Sequence, residues 1–172
     1  MAEFEPAFEK MILNEGGFKL HEVKGDRGGM TYAGIARNYH HYWPGWQIIE
    51  RDPNDPRLTG MVRDFYKEHF WDRVKGDDIE NQKIAQSLFD FSVNAGTGVA
   101  AKLAQMAVGA MPDGAIGPKT LEALNAENEE IFVLKYALLK VARYAEICNE
   151  DRGQVKFLLG WINRTLGGLG NV

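Results

Sequence analysis

The sequence holds a single cysteine, Cys148, in 172 residues. One thiol can neither close an internal disulfide nor build a multi-cysteine zinc site, so the fold must rest on packing. Lying in a periodic apolar stretch, that thiol is expected to be inert core. Proline is sparse: six in all, three of them between Trp43 and Leu58, which marks that stretch as irregular. No apolar run approaches the ~18–20 residues needed to span a bilayer, so no membrane insertion is expected. The start, MAEFEPAFEKM, lacks the cationic flank and apolar core of a secretory signal. Synthesis in the cytoplasm is therefore expected, with any outside role needing release or export by another route. A basic excess is missing as well. Residues 1–82 carry 11 basic and 15 acidic side chains, residues 83–172 carry 9 of each, and the net charge is −4. Without a basic stripe to meet phosphates, nucleic acid is not an expected partner. His21, His40, His41 and His69 show no helical metal-ligand spacing, so neither a metal nor another cofactor is expected. His69 is read as packing at the edge of its helix.

What is present is a helical pattern nearly throughout. Phe4, Phe8, Met11 and Ile12 form one apolar stripe over Glu3–Asn14, and Gly16-Gly17 ends it as a C-terminal cap would. Residues 18–30 read as a turn-rich loop or small hairpin, and Thr31–His41 as a second helix. Thr59 can cap a helix running to Phe70. Further helices are expected over Gln82–Asn94, Val99–Val108, Pro118–Asn125, Glu129–Asn149 and Gln154–Leu166. The softest boundary is Asn94–Gly98, which divides residues 1–96 from 97–172, two parts expected to pack into one globule.

Glu15 is the most informative residue. On a wheel of about 100° per residue it falls within the arc of Phe4, Phe8, Met11 and Ile12, a carboxylate in line with an apolar stripe at the last turn of its helix. Desolvation there and the negative end of the helix dipole both favour the neutral acid, the form that protonates a glycosidic oxygen. The alternative is a glutamate that reaches water from a frayed helix end. Asp26 follows in a glycine-rich loop, and Thr31 comes five residues later. A loop returning over the helix end can set a second carboxylate and a hydroxyl across a cleft from Glu15; by itself, Asp26-Arg27-Gly28-Gly29 also suits an ordinary Asx-type turn.

Glu15-Gly16-Gly17-Phe18, followed by Asp26-x-Gly28-Gly29-x-Thr31-x-x-Gly34-Ile35, resembles the opening of the glycoside hydrolase family 108 N-acetylmuramidases. Tyr66-x4-Trp71 is similar to that family's Y-x3-W segment with one extra residue, and Phe89-Asp90-x-x-Val93-Asn94-x-Gly96 resembles its F-D-x-x-V-N-x-G stretch. Beyond Ala100, Asp113-Gly114-x-Ile116-Gly117-Pro118-x-Thr120 and Gly160-Trp161-x-Asn163-Arg164 resemble the predicted peptidoglycan-binding segment that usually follows. The resemblance implies a mainly α, lysozyme-like helical fold with a small loop or hairpin near the active site. It implies hydrolysis of the β-1,4 bond between N-acetylmuramic acid and N-acetylglucosamine, with peptidoglycan glycan strands as partner and Glu15 as the catalytic acid. Asp26 and Thr31 would complete the catalytic set by similarity to the Glu–Asp–Thr arrangement of phage-type lysozymes. Phe18, in a position usually held by Tyr, keeps a stacking role.

Asp90 and Asn94, four apart on one helix face, either line a sugar cleft or make a buried polar pair that fixes helix contacts. With Phe18 and Tyr32, the aromatic at the edge of the expected cleft, they complete the substrate-binding candidates. Trp43, Trp46 and Trp71 are read as core or loop anchors. The DGAIGPKT turn is explained structurally, with Pro118 opening a helix. A lytic transglycosylase using the same glutamate, and a non-catalytic wall-binding or secretion-assisting protein, are the competing readings. The sequence leaves the oligomeric state open, and a leaderless muramidase would suit a phage or prophage origin.

Overall fold

A computed structural model describes residues 1–22 and 29–169. It is mainly α: among the described residues there are eight α-helices and one small three-stranded sheet. The chain divides into two compact units, Glu3–Asp72 and the remainder from Arg73 onward, which takes Met1–Ala2 with it.

The first unit opens with α1, Phe4–Asn14, whose stripe of Phe4, Ala7, Phe8, Met11 and Ile12 is buried as its spacing predicts. The helix ends in a Schellman motif. Gly17 N–H donates to Ile12 O at 2.9 Å and Gly16 N–H to Leu13 O at 3.2 Å, with Gly16 at φ +86°. A side chain at that left-handed position would be strained, so Gly16 sets the point at which the chain leaves the helix. The expected hairpin forms and is larger than expected. Strand β1, Leu20–Glu22, pairs antiparallel with β2, Met30–Tyr32, and β2 with β3, Ile35–Ala36. The helix expected over Thr31–His41 is therefore absent. Ala33 and Gly34 both take positive φ, +47° and +81°, making the tight two-residue turn that reverses a strand, and no helix can run through them.

Helix α2, Gly45–Ile49, lies within the stretch read as irregular. Trp46 secures it, donating its indole N–H to His40 O at 2.8 Å. Helix α3, Arg57–Tyr66, starts two residues before Thr59, because Asp55 accepts from the Arg57 backbone N–H at 2.9 Å. It continues into a π-helical turn, Lys67–Trp71, closed by Asp72 N–H to Lys67 O at 2.9 Å. A π turn holds one residue more than an α turn. It lies where Tyr66-x4-Trp71 carries its extra residue, and it leaves both Tyr66 and Trp71 buried.

In the second unit, helices α4 (Gln82–Ala95), α5 (Thr97–Ala107), α6 (Pro118–Ala126), α7 (Glu129–Glu150) and α8 (Val155–Gly167) match the expected pattern closely. Asn81 and Asn128 cap α4 and α7, each accepting two backbone N–H bonds. Helix α4 packs on both α5 and α7, and small Ala100 and Ala104 let α5 approach. The DGAIGPKT turn is organised by buried Gln105. Its amide donates to Asp113 Oδ1, Ala115 O and Thr120 Oγ1 at 2.8, 3.0 and 3.2 Å, and its oxygen accepts from Gly114 N–H at 2.9 Å. Cys148 is buried, as its setting in the sequence suggests.

Candidate active site

Glu15 is the residue that closes α1, and the Schellman turn fixes where its backbone stops. Its side chain is half-buried and rests against the β2–β3 turn. A Cβ placed on Gly34 would lie 3.3 Å from Glu15 Oε2 and only 2.4 Å from Tyr66 Oη. Gly34 is thus required twice over, by its positive φ and by the closeness of these two side chains.

Tyr66, supplied by α3, donates its hydroxyl to Ala33 O at 2.9 Å. Burial, and then the nearby Glu15 charge, push its pKa well above the ordinary tyrosine value, so this phenol remains a proton-bearing donor at any physiological pH. Ala33 itself holds a backbone conformation that costs a non-glycine residue about 1 kcal/mol. Two bonds hold it there, the one from Tyr66 and its own N–H to Lys19 O at 3.2 Å. Helix end, hairpin turn and buried phenol thereby meet around the Glu15 carboxylate.

The other expected site residues are distributed as follows. Phe18, 39% exposed, presents its ring beside that of Phe8, three residues beyond Glu15. Thr31 is half-buried in the central strand that leads into the Ala33-Gly34 turn, its hydroxyl 3.5 Å from Gly29 O. Asp26 lies outside the described residues. Tyr32 is 5% exposed and stacks on Trp43, so its ring belongs to the core of the first unit instead of standing open at a cleft edge. Trp43, Trp46 and Trp71 are buried anchors, as expected. His69 stacks on Phe65 at 4.5 Å and borders a groove of about 400 Å³ with Tyr42, Trp43, Asp64 and Glu68; Glu15 does not line that groove.

Asp90 and Asn94 belong to the second unit. Asn94 is exposed, with its amide turned back to donate to Asp90 O at 2.7 Å. The Asp90 carboxylate acts electrostatically on Tyr136, Lys140 and Tyr144 of α7. Lys140 is buried against the rings of Tyr136 and Phe91, with Nζ 4.4 and 5.0 Å from their centroids. Burial lowers its pKa to about 8, and Asp90 opposes that shift. Sequence reading singled out neither Lys140 nor a polar role for Tyr66. Both sit at apolar helical positions, and only a long-range contact distinguishes them from surface or core.

Among the described residues no helix is long and apolar enough to cross a membrane. No curated protein matches the chain. A solved structure of Brucella abortus SagA is similar over 98% of this chain and 96% of that one, at 24% identity and a TM-score of 0.69, which shows a shared fold. Residues 99–166 match a family described as a predicted peptidoglycan domain. Residues 8–96, just over half the chain, match glycosyl hydrolase 108, and the segment carrying Glu15, the hairpin and Tyr66 lies inside that match. With the peptidoglycan segment behind it this is a peptidoglycan hydrolase, and the chain belongs to the glycosyl hydrolase 108 family.

Proposed function

We propose that the protein is an N-acetylmuramidase that cleaves the β-1,4 bond between N-acetylmuramic acid and N-acetylglucosamine, with Glu15 as general acid. The observation that carries this reading is the placement of Glu15 between the Schellman end of α1 and the Gly34–Tyr66 contact. A general acid must be held within hydrogen-bond reach of the leaving oxygen, and a carboxylate fixed by two elements at once meets that need.

In the proposed step Glu15 gives its proton to the glycosidic oxygen as the bond from that oxygen to the anomeric carbon breaks. Water attacks the same carbon, and its proton passes to Asp26, with Thr31 helping to hold the water. Tyr66 takes no part as a base, since it keeps its proton and spends it on Ala33 O. Phe18 offers an exposed ring on which a sugar face can stack. Asn94 remains a substrate-contact candidate. Asp90 is assigned to balancing Lys140, and Tyr32 to supporting the sheet. Residues 97–172 would hold the enzyme on the wall.

The test is mass spectrometry of sugars released from purified peptidoglycan by wild type and Glu15→Gln. Reducing muramic ends from wild type, and a loss of at least ~1,000-fold in the variant, are expected for removal of an acid that acts in the transition state. Anhydro-muramic ends would replace hydrolysis by transglycosylation. Unchanged release from folded Glu15→Gln would remove Glu15 from the chemistry.

A further inference from the structure

Helix α7 has two apolar faces. Phe132, Tyr136, Lys140 and Tyr144 are buried within the second unit. Ile131, Leu134, Leu138 and Val141 are not: Leu134 is 57% and Leu138 71% exposed. These four follow the strict three-then-four spacing of a coiled-coil seam and fall within about 80° of arc.

Helix α8 repeats the feature. Val155, Leu159, Ile162 and Leu166 fall within about 60° of arc. Three of them are exposed, with Leu159 at 71%. The adjacent side, about 90–130° round from that stripe and carrying Trp161 and Thr165, meets Tyr144 of α7, whose ring stacks on Trp161 at 5.2 Å. Since Arg152–Gln154 is the only element between them, α8 runs back antiparallel along α7. Going round α7, one passes the buried face, then α8, then the exposed stripe. Round α8 the residue order turns in the opposite sense because the helix is reversed, and its stripe falls on that same side. The two stripes therefore make one apolar face on the hairpin, larger than a monomer normally leaves uncovered.

We propose that this face binds a second copy of the chain through a two-fold axis, with α7 antiparallel to its counterpart. The register is self-complementary. About a point between Leu139 and Lys140, Leu138 meets Val141 of the second copy, and Leu134 meets its Ala145, whose small side chain admits the larger one. Lys135 and Glu146 lie on the same flank of the stripe, and this arrangement brings each within two residues, about 3 Å, of the other's height on the second copy. Opposite charges then line the rim, whereas a parallel pairing would set Lys135 beside Lys135. Two adjacent helices about 33 and 20 Å long and about 10 Å wide cover about 500 Å², and the ridged accessible area over that footprint approaches the ~800 Å² per partner of stable complexes.

Sedimentation velocity of the full chain decides it. Wild type is expected at twice the 19.3 kDa chain mass at tens of micromolar. Leu138→Glu and Leu159→Glu each weaken association by at least ~100-fold with far-UV circular dichroism unchanged, since both residues are exposed and a buried unpaired carboxylate is costly only in the dimer. Met106→Glu, also exposed but on α5, stays dimeric. Wild type that remains monomeric up to about 100 μM, or a dimer indifferent to both substitutions, overturns the proposal. So does a monomer that binds purified sacculi or anionic vesicles through Leu138, which would give the face a different occupant.

Discussion

The two units solve the same problem, holding polar groups in a small protein, by different means. In the first, the N-cap residues of α1 to α3 make no side-chain cap bond, Asp55 alone reaching the start of α3 from one position earlier, and the elements are joined by tight backbone turns and a run of aromatic contacts from Phe4 to Trp71. In the second, two long helices carry asparagine caps, and a fully bonded glutamine anchors the loop between α5 and α6. The first unit spends backbone strain at Ala33 beside the Glu15 carboxylate; the second satisfies its polar groups with caps, with Gln105 and with bonds between helices such as Tyr136 Oη to Ala100 O, and presents helix faces. The contrast suggests where substitutions should damage chemistry and where only stability.

Gly34→Ala should have the largest effect. The added Cβ meets Tyr66 Oη at 2.4 Å in a positive-φ residue, so the turn and the seat of Glu15 must both move. A loss of about 2–4 kcal/mol in urea unfolding and of at least ~100-fold in turnover is expected, because strain and overpacking add. Retained turnover would show that Glu15 needs no such seat.

Gln105→Ala is the counterpart in the second unit. It strands Gly114 N–H and the partners of the amide, at an expected cost of about 2–3 kcal/mol in the same unfolding experiment. Turnover on a soluble glycan fragment should change by less than ~2-fold below the melting range, since no catalytic group is touched.

Lys140 gives a pH test. Its folded pKa, about 8, lies below the ordinary lysine value of 10.5, so between those values the unfolded chain binds more protons than the folded one. Stability due to this group is lowest below pH 8 and rises toward pH 10.5. The stability of wild type relative to Lys140→Met should therefore climb by about 1–3 kcal/mol from pH 7.5 to 10. A flat difference would mean that Lys140 stays charged and that Asp90 fully offsets its burial.

The smallest effect is expected from Asn128→Ala, about 1 kcal/mol lost with the cap of α7 and none in turnover. If turnover fell instead, the division between a strained unit that carries Glu15 and a helical one that leaves turnover untouched would be too sharp.

The helices were legible because each carries its own signal: the stripe of α1, the apolar periodicity of α4 and α7, Pro118 opening α6. The strand pairing was not. Tyr32 and Ile35 are three apart, as on a helix, and only the two positive φ values between them turn that spacing into a hairpin. Asp90 and Asn94 show the same limit, since their shared face was evident but not the buried Lys140 that one of them balances.

Within the site, the Glu-Gly-Gly run by itself determined that a carboxylate closes α1, because Gly16 can take the left-handed cap that stops the helix there. That the same carboxylate rests on Gly34 beside a buried, bonded Tyr66 was decided only by tertiary structure. Those residues are separated by 19 and 51 positions in the sequence, and local preference does not extend that far; packing the helix end, the turn and α3 into one unit brings them together.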